Sequence, residues 1–383
     1  MNIIDPILAQ CRFQPDAPAI CVPGTQHATI AYGQLGKLIN NVARHAEWVG
    51  LRRGDIVVLY VADQIGLALL ILGLAKAGVV TISGHGSELP SGIKVEAILS
   101  DFEKGLPLGT RVIPVGPSWT EGDGAPLDSR LSEADGDKLC RIVLTSGTTG
   151  DKKGVAFTHR MVAERAVRFD YVAGNLLPAS LRTCIGLGLA TSLGYLHLIY
   201  ALTRGGMVVL VGDSPSDAMN ACEFYQARYW IGAPGGLAGM LAFYEESQAR
   251  RSPFRGMLCA GSLLSKRLSE RVRARMCANL VSLYGATEVS MVATAPAHLT
   301  AEIAGAVGHP VPGVTVEAVD EGGSRLASAV KASSGFAAPI TSKDMSGRRT
   351  KTPARSATDG SIRATLDRSR RTTCWSSPDG RSS

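Results

Sequence analysis

The chain has 383 residues, 45% hydrophobic and 19% charged, enough apolar material for a large core and two or three domains and too much for a disordered chain. Its formal net charge of +7 sits in one place: residues 331–383 hold 11 basic and 4 acidic side chains, while residues 1–330 hold 29 of each. A balanced body removes the electrostatic footing for a nucleic-acid-binding protein.

The N-terminus, "MNIIDPILAQCRFQPDAP", has no basic stretch followed by an apolar core, so it does not read as a secretion signal. "DIVVLYV" at residues 55–61 is a short apolar run after a Gly-Asp turn, as expected of a strand buried in a parallel sheet. "IGLALLILGLAKAGVV" at residues 65–80 is shorter than a membrane span and contains Lys76, which predicts a buried helix running into the next strand, "VVTIS". "KLCRIVLTSG" reads as a further strand and "HRMVAERAVRFDYVAG" as a helix closed by glycine. "GMVVLVG", "YWIGAP" and "GMLCAGS" repeat the strand-into-glycine pattern, with helical "DAMNACEFYQAR" and "LSKRLSERVRARMCA" between them. Alternation of this kind predicts an α/β fold with layered parallel sheets flanked by helices. Beyond residue 326 the composition turns to Ser, Thr and Arg without periodicity, so residues 327–383 are expected to be a disordered basic tail. Eight scattered cysteines, with no paired spacing and no His cluster, predict reduced thiols and a cytoplasmic protein.

Two stretches carry chemistry. In "LTSGTTGDKKGV", residues 144–155, a strand ends in a loop of hydroxyls and glycines followed by lysines. Backbone N–H groups of such a loop can converge on anionic oxygens, with Lys152 or Lys153 adding positive charge; an ordinary polar turn reads equally well. The spacing is not that of a Walker loop, which disfavours a P-loop NTPase. In "VSLYGATEVS", residues 281–290, an apolar run reaches a glycine with an aromatic before it and a carboxylate after it. A Tyr face can stack on a base, a Thr hydroxyl can bond a phosphate and a Glu can bind Mg²⁺; a turn with a solvated Glu is the plainer alternative.

Taken in order, these stretches resemble the adenylate-forming superfamily of acyl-CoA synthetases, luciferases and peptide-synthetase adenylation domains. The opening "APAICVPGTQHATIAYGQLGKLINNVARHAEWVGLRRGDIVVLYV", the loop "LTSGTTGDKKGV", then "LCAGSLLSKRLSERV", "LYGATEVS" and "GAVGHPVPGVTVEAVDEGG" are each similar to a family segment and extend to about residue 326. The resemblance implies that residues 1–326 form the N-terminal, AMP-binding domain, incomplete at its end. It also implies ATP-dependent conversion of a small carboxylic acid to an acyl-adenylate and transfer to coenzyme A or another thiol. Mg²⁺ would be the cofactor. Carried over by position, Thr145, Ser146, Gly147, Thr148, Thr149, Gly150 and Lys153 would grip the β- and γ-phosphates. Tyr284 would lie against adenine, Gly285 and Ala286 would complete the nucleotide-binding run, Thr287 would bond the α-phosphate and Glu288 would bind the metal. Gly261 and Ser262 would line the adenine and acyl pocket. Lys153, Thr287 and Glu288 are the candidate catalytic residues.

The chain departs from the family pattern in three places. The usual proline before the loop lysine is Lys152. "GLGLATSLGYLHLIYAL" has Ala190, Thr191 and Ser192 where relatives often place an aromatic or a histidine; it predicts His197 as a packed helix residue. The same stretch lacks the Asp that amino-acid-activating relatives use, favouring a plain carboxylic acid. Nothing in residues 327–383 reads as the family's completed C-terminal barrel or its lid domain. Shifting the reading frame there permits "DGWFYPGDLG" from residues 357–367 and "MLVIAGRSS" further on, so the tail is expected to be out of frame, with the slip near residues 327–335. On that expectation this part of an acid–thiol ligase turns over poorly, or serves as a nucleotide-binding remnant or a subunit completed by a separate C-terminal domain or carrier protein. A basic-tailed nucleic-acid binder is the weakest alternative, since the tail interleaves no aromatics beyond Phe336 and Trp375.

Overall fold

The computed structural model describes residues 1–21, 23, 29–84, 92–125, 136–145, 153–173, 181–212, 214–247, 252–300, 303, 306–319, 361–366 and 375–376. Two units are present, the first comprising Met1–Gly232 with Ala242–Arg255, the second Ala233–Leu241 with Gly256–Ser383.

In the first unit, α1 (Asp5–Phe13), β1 (Pro18–Cys21), β2 (Thr29–Ala31) and α2 (Tyr32–Trp48) precede β3 (Ile56–Tyr60) and α3 (Gln64–Ala77). Every residue of α3 from Leu67 to Ala77 is buried, as a helix apolar on all sides requires. Lys76 is buried with it and places Nζ 3.3 Å from Asp5 Oδ1, which compensates the charge. Asp63 caps the helix start by accepting from the backbone N–H groups of Ile65 and Gly66.

A six-stranded sheet follows, built from β3, β4 (Val80–Ser83), β5 (Ala97–Ser100), β6 (Val112–Pro114), β7 (Leu139–Thr145) and β8 (Lys153–Thr158), in the order β6-β5-β3-β4-β7-β8. Val58, Tyr60, Val80, Ile82, Ile98 and Ile142 form its core. All neighbours are parallel except β7 and β8. That pair breaks the expected all-parallel pattern because seven residues connect it, too few for a crossover. The same unit contains α4 (His159–Ala173), β9 (Arg182–Gly186), α5 (Ser192–Thr203), β10 (Met207–Leu210), α6 (Pro215–Phe224) and β11 (Tyr229–Gly232). Here the strands run in the order β11-β9-β10-β1-β2, with β2 antiparallel at the edge.

The second unit receives the start of α7 (Pro234–Glu246) and continues with β12 (Gly256–Cys259), α8 (Lys266–Arg275), β13 (Leu280–Ala286), β14 (Ser290–Pro296), α9 (Ala297–Thr300), β15 (Ala306–Pro310) and β16 (Val314–Val319). β12 and β13 are parallel, whereas β13, β14 and β15 form an antiparallel meander. Two short strands fall within residues 327–383: β17 (Ser361–Leu366), paired antiparallel with β16, and β18 (Trp375–Ser376), paired with β15. The remainder of that expected tail lies outside the described residues. Cys11, Cys21, Cys140, Cys184, Cys222, Cys259 and Cys277 are all buried free thiols. Burial pushes Cys11 up to about 11 and Cys140 and Cys259 to about 12, which makes these thiols unreactive.

Candidate active site

The phosphate-loop candidate closes a hairpin. β7 and β8 pair from Leu139↔Thr158 to Thr145↔Lys153, so residues 146–152 connect two strand ends that already face each other. Thr145 is half-buried at the end of β7. Lys153 is the first residue of β8; its side chain, together with Ser146, Gly147, Thr148, Thr149 and Gly150, lies outside the described residues.

Four residues before Thr145, the interior of β7 contains an arginine. Arg141 is fully buried; its Nη1 donates to Thr81 Oγ1 at 3.1 Å, and its Nη2 to Ser83 Oγ at 2.7 Å and to the Leu189 carbonyl at 2.8 Å. The guanidinium also lies 4.9 Å from the centre of the Tyr195 ring. Burial lowers its pKa to about 10, against the opposing pull of Tyr195 and Cys140, so the side chain stays charged at neutral pH. Sequence reading did not single out this residue, although an arginine within the apolar run "LCRIVLT" was a visible signal.

The stretch expected near the acyl pocket forms the turn between β9 and α5. Thr191 caps α5: its Oγ1 accepts from Gly194 N at 3.1 Å and donates to the Gly188 carbonyl at 2.8 Å. Ala190 and Ser192 flank it, half-buried. His197, five residues beyond Ser192, is a packed core residue. It is 1% exposed, its Nε2 lies 2.9 Å from Thr183 Oγ1, and its ring packs at 5.1 Å from Phe169 and 5.8 Å from Tyr200. Burial lowers its pKa to about 3, so the ring is neutral.

In the second unit the sequence "YGATEVS" forms the β13–β14 hairpin. Tyr284, Gly285 and Ala286 end β13, Thr287, Glu288 and Val289 form the turn, and Ser290 opens β14. Tyr284 at the end of the strand and Thr287 and Glu288 in the turn are half-buried, while Gly285 is exposed. The strand register slips between Tyr284 and Gly285, and Ser290 has φ +66°, a left-handed value uncommon for a residue with a side chain. Gly285 is required here: a Cβ would stand 2.1 Å from the Ser290 carbonyl oxygen. Gly261 and Ser262 lie exposed just after β12, with Gly261 at φ +96°. The Glu288 carboxylate is a hard oxygen donor of the kind that binds Mg²⁺ alongside phosphate oxygens and water.

The AMP-binding enzyme family matches residues 94–332, more than half of the chain. Phenyloxazoline synthase MbtB of Mycobacterium tuberculosis is 27% identical over 309 residues, an alignment that covers 76% of this chain. The chain spans only about a fifth of that relative, 21% of its length. Among solved structures, the inhibitor-bound N-terminal domain of FACL13 from Mycobacterium tuberculosis superimposes with a TM-score of 0.72 at 19% identity, covering 85% of this chain and 86% of that one. ATP-bound MatB from Rhodopseudomonas palustris gives 0.69 at 20% identity, covering 86% and 68%. These two structures share the fold with the chain, and the family match contains both hairpin motifs in order. The chain therefore belongs to the AMP-binding enzyme family, within the adenylate-forming superfamily.

Proposed function

We propose that this chain binds Mg-ATP and activates a plain carboxylic acid as its acyl-adenylate, for transfer to a thiol such as coenzyme A or a carrier protein. The observation that carries this reading is the β13–β14 hairpin. Its shape, which only glycine permits at position 285, gathers an aromatic ring, a hydroxyl and a carboxylate into five residues. In the reaction a carboxylate oxygen of the acid forms a bond to the α-phosphorus of ATP, and the bond from that phosphorus to the bridging oxygen breaks, releasing pyrophosphate. Two anions meet, so donors must neutralise charge at phosphorus as it develops.

Thr145, the hydroxyls and N–H groups of residues 146–150, and Lys153 hold the β- and γ-phosphates. Tyr284 lies against adenine and Thr287 donates to the α-phosphate. Glu288 would hold Mg²⁺, which when bound would offset phosphate charge. ATP in the related MatB structure supports the nucleotide assignment. The acid is assigned as a plain carboxylic acid because residues 186–202, from the end of β9 through α5, hold no carboxylate to pair an α-ammonium group. Asp170 on α4 is already committed, 2.8 Å from Arg204 Nη1 and accepting from Tyr200 Oη at 3.1 Å.

The test is calorimetric titration with Mg-ATP, followed by ATP–pyrophosphate exchange across a panel of aryl, short-chain and long-chain acids and α-amino acids. Saturable ATP binding and exchange driven by a plain acid support the reading. Absence of ATP binding at millimolar nucleotide refutes it, and exchange driven only by α-amino acids refutes the substrate class.

A further inference from the structure

We propose that Arg141 is a positioning residue that clamps the turn entering α5 to the strand carrying the phosphate loop. The inference rests on the proposed ATP-binding function and adds a residue to which the family motifs assign no role. Its basis is a fully buried cation whose acceptors, among the described residues, are two hydroxyls and one carbonyl and include no carboxylate. A purely structural core would be served as well by an apolar side chain of similar volume, because three neutral acceptors only partly offset the desolvation of a charge. Its Nε has no hydrogen-bond partner among the described residues, so these leave the burial incompletely satisfied.

The clamp's three anchors lie on two segments, neither of them β7 itself. Thr81 and Ser83 belong to β4, the neighbour of β7 in the sheet, and Leu189 sits in the turn before α5. Arg141 and Thr145 are four residues apart on one strand and so point to the same face, with roughly 13 Å between them at the usual strand rise. A flat guanidinium fork can serve acceptors in two directions at once, whereas a lysine ammonium cannot reproduce that planar reach. The turn it grips has its own rigidity: a Cβ on Gly194 would meet the Gly188 carbonyl oxygen at 2.5 Å, so helix start and turn are packed against each other. Fixing Leu189 to β4 and β7 therefore sets the turn and the base of the phosphate loop as one piece.

The experiment compares the 383-residue wild type with Arg141→Lys, Arg141→Met and Ser83→Ala, titrating each with Mg-ATP and with AMP and recording its Tm. AMP lacks the β- and γ-phosphates, so it reports the adenine and α-phosphate contacts without the phosphate loop. The clamp predicts that Arg141→Met weakens ATP about tenfold with AMP within about twofold, that Arg141→Lys recovers little, and that Ser83→Ala, which keeps the arginine, loses a few-fold for ATP alone. Hydrogen exchange provides a readout independent of nucleotide: Arg141→Met should speed exchange in β7 and in the turn before α5 together. Equal losses for ATP and AMP, or a lower Tm with the ATP-to-AMP ratio unchanged, overturn the clamp in favour of a structural role alone. Full ATP affinity in Arg141→Lys also overturns it, since charge without the fork would then suffice. A wild type that binds neither nucleotide overturns the function itself, a result distinct from failure of the clamp.

Discussion

The burial of two histidines makes a pH-dependent stability prediction that can be worked through. His197 packs between Phe169 and Tyr200 with a pKa lowered to about 3, and His159, 1% exposed with Nδ1 accepting from Ile3 N at 3.2 Å, is lowered to about 4; burial is the main cause in both. In an unfolded chain each ring titrates near 6.5. Below that pH the unfolded state binds more protons than the folded one, so stability present above 6.5 is lost as pH falls toward the folded values. By pH 5 each histidine removes about 2 kcal/mol relative to pH 7.5, a large fraction of the 5–15 kcal/mol typical of a domain. The variant His197→Gln keeps a polar atom for Thr183 and removes the titrating ring. Urea unfolding of both proteins between pH 7.5 and 5 should show their stability difference shifting by about 2 kcal/mol in favour of the variant at the acid end. A difference that stays constant across this range would refute the neutral, buried assignment of His197.

Three further outcomes follow from close contacts and from the proposed roles. Gly285→Ala should cost about 1–3 kcal/mol of stability and weaken nucleotide binding, because the new methyl must displace the Ser290 carbonyl; circular-dichroism melts and ATP titration measure both. Gly73→Ala should destabilise by a similar amount, since its Cβ would stand 2.4 Å from Val42 Cγ1 between α3 and α2. Adding Val42→Ala should recover part of that loss, a coupling that a double-mutant cycle reads directly. Glu288→Gln should lower the affinity for Mg-ATP much more than that for metal-free ATP, seen by titrating with and without a chelator.

The layered α/β architecture was legible because its signals are local and repeated. Each apolar run of four to seven residues ends in a glycine or polar turn, and α3 is apolar all round because it is buried all round. His197 was legible for a similar reason, as the one histidine within the predominantly apolar helix α5. Strand direction was less legible. Strand–helix alternation suggests parallel neighbours throughout, yet β8 folds straight back on β7 because the linker is too short to cross over. Arg141 escaped notice because its partners are 60, 58 and 48 residues away, beyond any periodic signal. The bulge at Gly285 was equally hidden: the sequence shows a glycine, and only the fold shows the carbonyl that excludes a side chain there.

Both candidate nucleotide motifs lie at antiparallel strand pairs, β7–β8 and β13–β14, in a chain whose other described strand pairs are largely parallel. A hairpin returns the chain at once, so the ladder fixes both strand ends that flank its turn. The two ladders hold these turns: the β7–β8 ladder ends at Thr145↔Lys153, and the β13–β14 ladder at Ala286↔Ser290. Position 152 lies just beyond the last pair of the first ladder, where this chain has lysine and the family usually has proline. Proline narrows the unfolded ensemble, a contribution that by itself favours the folded state of Lys152→Pro by about 0.4–1 kcal/mol. If the hairpin turn grips the β- and γ-phosphates, ordering it should also tighten Mg-ATP a few-fold while leaving AMP unchanged, despite the loss of one positive charge. Titration of both nucleotides decides the point: an ATP affinity that falls would mean that the charge of Lys152, and not the order of the turn, limits binding.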